Sequence, residues 1–216
     1  GAVQDFKRNN YEIIFNLTGG FKGINSFLHT MGALYADNII YIFEKSNELM
    51  SIPKLPIKID EDVIDKYFDT FRKLELGMPV TSEEVEKIHK TLVLKIGNEY
   101  ALSPWGEIIW QKTKNEKYLK KLYLPPTDKI LYSDGFKKTA EKLQPNRKLE
   151  LNQKMEDLTK YLLKKINPKS LNFKELSGKP KHISTYEFYI NSDEAKRCYC
   201  HYENDILVLD EYGEHL

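Results

Sequence analysis

With 216 residues, 41% of them hydrophobic and 30% charged, the chain is long enough for one large or two small domains and has the balance of an ordinary globular protein. Its apolar runs are too short to span a bilayer and no secretory leader is visible, so a cytoplasmic protein with no membrane role is expected. The net charge of +1 hides a segregation: residues 1–110 carry −4, residues 111–181 carry +11 and residues 182–216 carry −6.

The chain opens with a strand-like apolar run, Tyr11 to Phe15, and a helix-like run, Ile24 to Ala36, joined by the turn Asn16-Leu-Thr-Gly-Gly-Phe-Lys-Gly-Ile-Asn25. Adjacent glycines at a strand-to-helix turn let the backbone approach a ligand that a Cβ would block. The free N–H groups of the following helix favour an anion. Lys22 adds a full charge, and Asn16 and Thr18 add hydrogen-bonding groups suited to sugars or bases. A phosphorylated ligand is therefore expected, although a Gly-Gly turn is also common in α/β domains that bind nothing there. The run Asn38 to Glu44 completes a βαβ unit, whose ligands sit at the carboxyl ends of its strands.

Residues 59–126 read as a helical connector. Asp60 to Leu76 shows a helical apolar stripe, and Thr81-Ser-Glu-Glu84 reads as a capping box that starts a helix running to about Lys90. Leu92–Ile96 and Tyr100–Leu102 are strands around Gly97-Asn98, a hairpin turn. Ser103-Pro104 opens another helix. Two helices and a hairpin resemble a winged helix, readable as a DNA-binding element or as a connector. The helix from Ser82 has no arginine, the commonest base reader, which favours the connector.

Leu122-Tyr-Leu-Pro-Pro126 reads as an extended linker. Beyond it, a short strand (Lys129–Tyr132), two helices (Phe136–Leu143 and Leu149–Lys165) and four short strands (Phe173–Leu176, Thr185–Ile190, Lys196–Tyr202, Ile206–Asp210) form an α+β pattern, with Asn204-Asp205 as a tight turn. Cys198 and Cys200, two apart in a strand, are poorly placed for a disulfide. No Cys-x-x-Cys pair exists, so no metal site is expected. The +11 segment offers a polyanion a long-range, salt-sensitive attraction, unless its lysines are simply solvated faces.

Two resemblances sharpen these readings. Asn16-Leu-Thr-Gly-Gly-Phe-Lys22, Tyr35-Ala-Asp37, Ile40-Tyr-Ile-Phe-Glu44 and Ile52-Pro-Lys-Leu-Pro-Ile57 resemble the second half of a CARF domain, the Rossmann-like sensor of type III CRISPR systems. Residues 1–58 are then the carboxyl half of such a sensor. The resemblance implies a homodimer that binds a cyclic oligoadenylate across its two-fold axis, cyclic tetra-adenylate being the expected activator. No other cofactor is implied. Thr18, Gly19, Gly20 and Lys22 would hold phosphates and ribose, with Asn16 and Asn25 beside them. Family members begin with a strand and a Ser/Thr loop well before this turn, whereas ten residues precede the first strand here. The turn is thus expected to form half of a site.

Residues 127–216 resemble the RelE-type toxin fold through Phe173-Lys-Glu-Leu-Ser-Gly178, Tyr186-Glu-Phe-Tyr189, Ala195-Lys-Arg-Cys-Tyr199 and Ile206-Leu-Val-Leu209. That family cleaves messenger RNA, usually in the ribosomal A site, so mRNA and the ribosome are implied partners. Metal-free RNA cleavage uses the 2′-hydroxyl as nucleophile, a base, an acid and cations that stabilise the phosphorane. Arg197 stands where the family's phosphate-binding arginine lies. Lys179 and Lys181 would add positive charge, His215 and Tyr212 would serve as acid and base, and Glu187 is a further candidate base. The combined expectation is an α/β plus α+β chain: partial Rossmann-like CARF sensor, winged-helix-like connector and RelE-like domain. Its function would be cyclic-oligoadenylate-activated RNA cleavage in CRISPR defence. The alternatives are a ligand-responsive transcription regulator without nuclease activity, and a sensor that slowly cleaves its own ligand.

Overall fold

The structure, a computed structural model, describes residues 3, 6–7, 9–19, 22–42, 48–52, 62–177, 183–191 and 196–214. Among the described residues it is a mixed α/β chain with seven helices and three sheets, divided into two compact units at residues 60 and 61.

In the first unit, β1 (Ile14–Asn16) leads through α1 (Lys22–Tyr35) to β2 (Asn38–Ile42), and β3 (Leu49–Ile52) follows. β1 and β2 pair in parallel, Phe15 against Ile39, so the expected βαβ unit is present. β3 adds antiparallel to β2, with Ile52 against Ile39. Ala33, Ala36 and Ile39 form a small core, flanked by Ile13, Phe15, Leu17 and Ile52. Alternation along the strands sends Ile14, Ile42 and Leu49 to the opposite face, where all three are exposed. The Asp37 carboxylate closes the α1–β2 corner by accepting from the Ile13 N–H at 2.9 Å.

In the second unit, α2 (Asp62–Lys66) and α3 (Phe68–Leu76) replace the single helix expected over 60–76. Tyr67 leaves the helical region (φ −116°, ψ 29°), yet the flanking bonds Tyr67 N–H to Val63 O and Phe71 N–H to Tyr67 O persist at 3.2 and 3.0 Å. The result is a kink that still brings Ile64, Phe68 and Phe71 into one core with Trp110 and Tyr118.

The capping box at Thr81 is present, with the Glu84 N–H donating to its hydroxyl and the Glu84 carboxylate accepting from the Thr81 N–H. The helix it starts, α4, spans only Ser82–Val85 and not the expected run to Lys90. The chain tightens there: Ile88 N–H bonds Val85 O at 2.9 Å, and the His89 ring accepts the Thr91 N–H at 3.3 Å. Such local side-chain bonds compete with helix continuation.

β4 (Val93–Ile96) and β5 (Glu99–Leu102) form the predicted hairpin, with Gly97 at φ +62° in its turn. α5 (Pro104–Tyr118) follows, capped by the Ser103 hydroxyl, which accepts from the Gly106 N–H at 3.0 Å. The hairpin approach presses so close that a Cβ on Gly106 would lie 2.0 Å from the Leu92 carbonyl oxygen.

The segment expected to be an extended spacer is docked. The Tyr123 N–H donates to Asn152 Oδ1 at 2.9 Å, and the Leu124 carbonyl accepts from Arg72. After it come β6 (Ile130–Tyr132), α6 (Asp134–Glu141), α7 (Pro145–Lys164), β7 (Lys174–Glu175), β8 (Tyr186–Tyr189), β9 (Lys196–Glu203) and β10 (Ile206–Glu214). Their sheet has the order β6-β10-β9-β8-β7, antiparallel except for the parallel β6–β10 pair.

Asn204 and Asp205 both take positive φ (48° and 65°), the geometry of a two-residue hairpin whose twist matches its strands. α6 and α7 cover one sheet face, burying Phe136, Leu151, Met155 and Leu158 against Phe188, Cys198, Cys200, Leu207 and Leu209. Both cysteines are free, and burial pushes their thiols up.

A buried polar cluster joins α3, α5 and α7. Lys114 Nζ lies 2.7 and 2.8 Å from the Glu75 carboxylate oxygens and 3.2 Å from Glu156 Oε2. Tyr118 donates to Glu156 Oε1 at 2.6 Å and Trp110 donates to Glu75 Oε2 at 2.7 Å. Burial opposes ionisation of both acids. At Glu75 the Lys114 charge and three hydrogen bonds win, lowering its pKa, whereas at Glu156 burial prevails and raises it.

Candidate functional site

The glycine turn of the first unit lies at the carboxyl end of β1, beside the carboxyl end of its parallel neighbour β2. Asn16 Oδ1 accepts the Thr18 N–H at 3.0 Å, closing a local turn. Thr18 Oγ1 accepts the Ile42 N–H at 2.9 Å and so ties the turn to the end of β2. Asn25, in the first turns of α1, donates from Nδ2 to the Gly19 carbonyl at 3.1 Å. Three of the predicted polar groups therefore build the turn and hold its shape. Gly19 takes φ +81°, and among the described residues a Cβ there would meet no atom within 4 Å, so the backbone is open to an incoming group on that side. Lys22 is the first residue of α1. Gly20 and the Lys22 side chain lie outside the described residues.

In the second unit, the sheet face turned away from α6 and α7 carries the other set. Register places Lys174 opposite Glu187, Glu187 opposite Tyr199, and Tyr189 opposite Arg197. Arg197 is paired with Glu187 through Nη1, and both are buried, at 6% and 4% exposure. The Arg197 guanidinium also lies 4.5 Å from the Tyr189 ring centroid. Its Nε is buried with no hydrogen-bond partner among the described residues. Lys174 Nζ approaches Glu187 at 3.4 Å and donates to the Tyr189 hydroxyl at 3.3 Å.

The structure thus brings Arg197 and Glu187 together. Tyr212 sits opposite Cys198 and packs against the core on the other face of the sheet. Lys179, Lys181 and His215 lie outside the described residues.

His201 alternates with the two cysteines along β9 and has a chemical setting of its own. Its Nδ1 lies 2.9 and 3.0 Å from the two Asp210 carboxylate oxygens, and its Nε2 lies 3.2 Å from Glu203 Oε1. Ser184 Oγ donates to Asp210 Oδ2 at 2.7 Å. A break in register between Leu209 and Glu211 marks a bulge at Asp210, whose carbonyl accepts the Ser133 hydroxyl at 3.0 Å. Bulges re-aim side chains, and this one delivers a carboxylate to the imidazole.

Burial lowers the imidazole pKa, but the hydrogen bonds and charges of Asp210 and Glu203 outweigh it and hold the value above normal. The ring is thus held between two carboxylates, Asp210 at Nδ1 and Glu203 at Nε2. The available signal was the spacing: His201 and Asp210 flank a two-residue hairpin in near-mirror positions. Among the described residues, no group of three or more His, Cys, Asp or Glu could hold a metal ion, and no helix is long and apolar enough to cross a membrane.

No curated protein matches the chain. A family model described as CRISPR-associated protein (Cas_APE2256) matches residues 1–55, the segment that contains the βαβ unit and its glycine turn, so this part of the chain is similar to a CRISPR-associated family.

Proposed function

We propose that this protein is a ligand-gated ribonuclease of CRISPR defence, with a CARF-like, Rossmann-type element that senses cyclic oligoadenylate and a RelE-like sheet that cleaves RNA. The observation that carries the reading is the glycine turn within the matched segment. Side chains of Asn16, Thr18 and Asn25 spend their hydrogen bonds on the turn itself, leaving open backbone at Gly19 where parallel strands end. That arrangement suits a phosphate of a nucleotide ligand, with Lys22 at the start of α1 supplying charge. A homodimer would bring two such turns to one ring.

In the cleavage step, the RNA 2′-hydroxyl attacks the adjacent phosphorus, a bond to the 5′-oxygen breaks, and a 2′,3′-cyclic phosphate forms. Arg197 is the cation assigned to the phosphorane, because a guanidinium can grip two phosphate oxygens at once. Glu187 neutralises it in the present arrangement. Activation must therefore loosen that pair, and a ligand can do so only by binding one arrangement more tightly than the other. The 2′-hydroxyl proton passes to a base and the leaving 5′-oxygen takes a proton from an acid; His201, four residues along β9 from Arg197 and so on the order of 13 Å away, is too far to serve that phosphorus. The transcription-regulator reading has less support: α4 is a single turn carrying Glu83 and Glu84.

The test measures cleavage of a labelled RNA by the full chain, with and without cyclic tetra-adenylate. Lys22→Ala is expected to abolish activation and keep basal cleavage. Arg197→Ala, in protein that circular dichroism shows to be folded, is expected to abolish both. Cleavage that neither substitution alters would sink the proposal.

A further inference from the structure

We infer that a lysine-lined cavity between α6, α7 and the segment that follows α5 is a binding site for the phosphate backbone of single-stranded RNA. The cavity, about 350 Å³, is bounded by Lys120, Lys121, Lys137 and Lys148, with Leu122, Leu124 and Tyr132 as its apolar wall and Glu141 as its acidic member. Four lysines and one glutamate thus line a single concavity, with Lys121 Nζ 4.6 Å from the neighbouring Tyr123 ring centroid.

Among the described residues, Lys120, Lys121 and Lys148 have no carboxylate within salt-bridge distance, and Lys137 has only the exposed Asp134 at 3.6 Å. Converging like charges repel one another, and a bound polyanion relieves the repulsion while releasing its own counterions. Lys137 and Lys148 come from α6 and α7, and Lys120 and Lys121 from the segment that follows α5. Asn152 donates to the carbonyls of Tyr118, Lys121 and Lys148 at 3.2, 2.8 and 3.0 Å, locking the end of α5 against α7. The cradle is therefore preformed.

Its apolar wall includes Leu124, which is 73% exposed beside the lysines. A phosphate next to an apolar surface matches a nucleotide unit better than it matches a bare anion. The surrounding segment, residues 111–181, carries the +11 charge, so the cavity sits within a longer attractive field that suits an extended polyanion over a small one. The site makes no use of Arg197 or the glycine turn, and it stands whether or not the protein cleaves RNA.

The test is fluorescence anisotropy of the full chain with a labelled 2′-O-methyl oligouridine, which cannot be cleaved, so binding is read separately from cleavage. Lys121→Glu/Lys148→Glu is compared with Lys160→Glu/Lys164→Glu, which makes the same change in net charge further along α7. The cavity pair is expected to weaken binding at least about tenfold and to flatten the salt dependence by about 1.4, at roughly 0.7 for each phosphate that is no longer neutralised. The control pair should change affinity by less than about threefold. Should the glutamate pair fail to fold, Lys121→Gln/Lys148→Gln is read in its place, with the same order of effects. Equal losses from both pairs, or none from the cavity pair, would overturn the proposal. So would ATP binding at the cavity with no RNA binding, which would mark a mononucleotide site.

Discussion

Arg197 and Glu187 hold each other inside the sheet. Each is nine-tenths buried; Glu187 compensates the Arg197 charge and is also approached by Lys174 at 3.4 Å. Removing one partner of a buried pair strands the other in a medium that solvates it poorly. Glu187→Ala is therefore expected to destabilise the second unit by about 3–5 kcal/mol in chemical denaturation, with Glu187→Gln costing less because it keeps a hydrogen-bond acceptor. A loss within experimental error would mean that Arg197 finds other compensation.

His201 makes a pH prediction. Its folded pKa lies above the ordinary 6.5, because Asp210 and Glu203 outweigh burial. Its stabilising contribution is then fully present below about pH 6.5 and lost as pH rises through the folded value. Stability measured from pH 6 to pH 9 should fall across that window, and Asp210→Asn should remove much of the fall. An unchanged slope in Asp210→Asn would show that the imidazole titrates independently of its partner.

Among the elements, the hairpins and the βαβ unit were legible in the sequence because local chemistry decides them. Gly97-Asn98 and Asn204-Asp205 suit tight turns, and the apolar Tyr11–Phe15 and Asn38–Glu44 runs flank a helix-like one, although β1 itself starts only at Ile14. β3 was not legible: three of its four residues are exposed, so Leu49–Ile52 shows no alternation against a core. The kink at Tyr67 has no sequence signal, and α4 ends early through the local bonds of Ile88, His89 and Thr91, which a capping box upstream does not announce.

The Arg197–Glu187 pair escaped for a similar reason. Ten residues apart in sequence, the two meet only through the register of β8 and β9. The strongest element-level constraint is the meeting of the β4–β5 hairpin with α5 at Gly106. A methyl there would collide with backbone, which cannot rotate away. Gly106→Ala is expected to cost at least about 1–3 kcal/mol, despite alanine's better helix propensity. Thermal melting checks this, and an unchanged or raised midpoint would contradict the close approach.

At the scale of the whole molecule, two compact units divide the proposed work. The first holds the segment similar to a CRISPR-associated family and presents open backbone at a strand end. The second joins a helical connector to a five-stranded sheet through a buried cluster of Glu75, Lys114 and Glu156, so the connector and the sheet fold as one body. The central claim is that a ligand held at the glycine turn controls RNA cleavage at that sheet. The most direct test follows the initial rate of RNA cleavage by the full-length chain as cyclic tetra-adenylate is titrated. A saturable rise that Lys22→Ala removes is expected, and a rate that stays flat or remains zero at every ligand concentration would rule out gating at the turn.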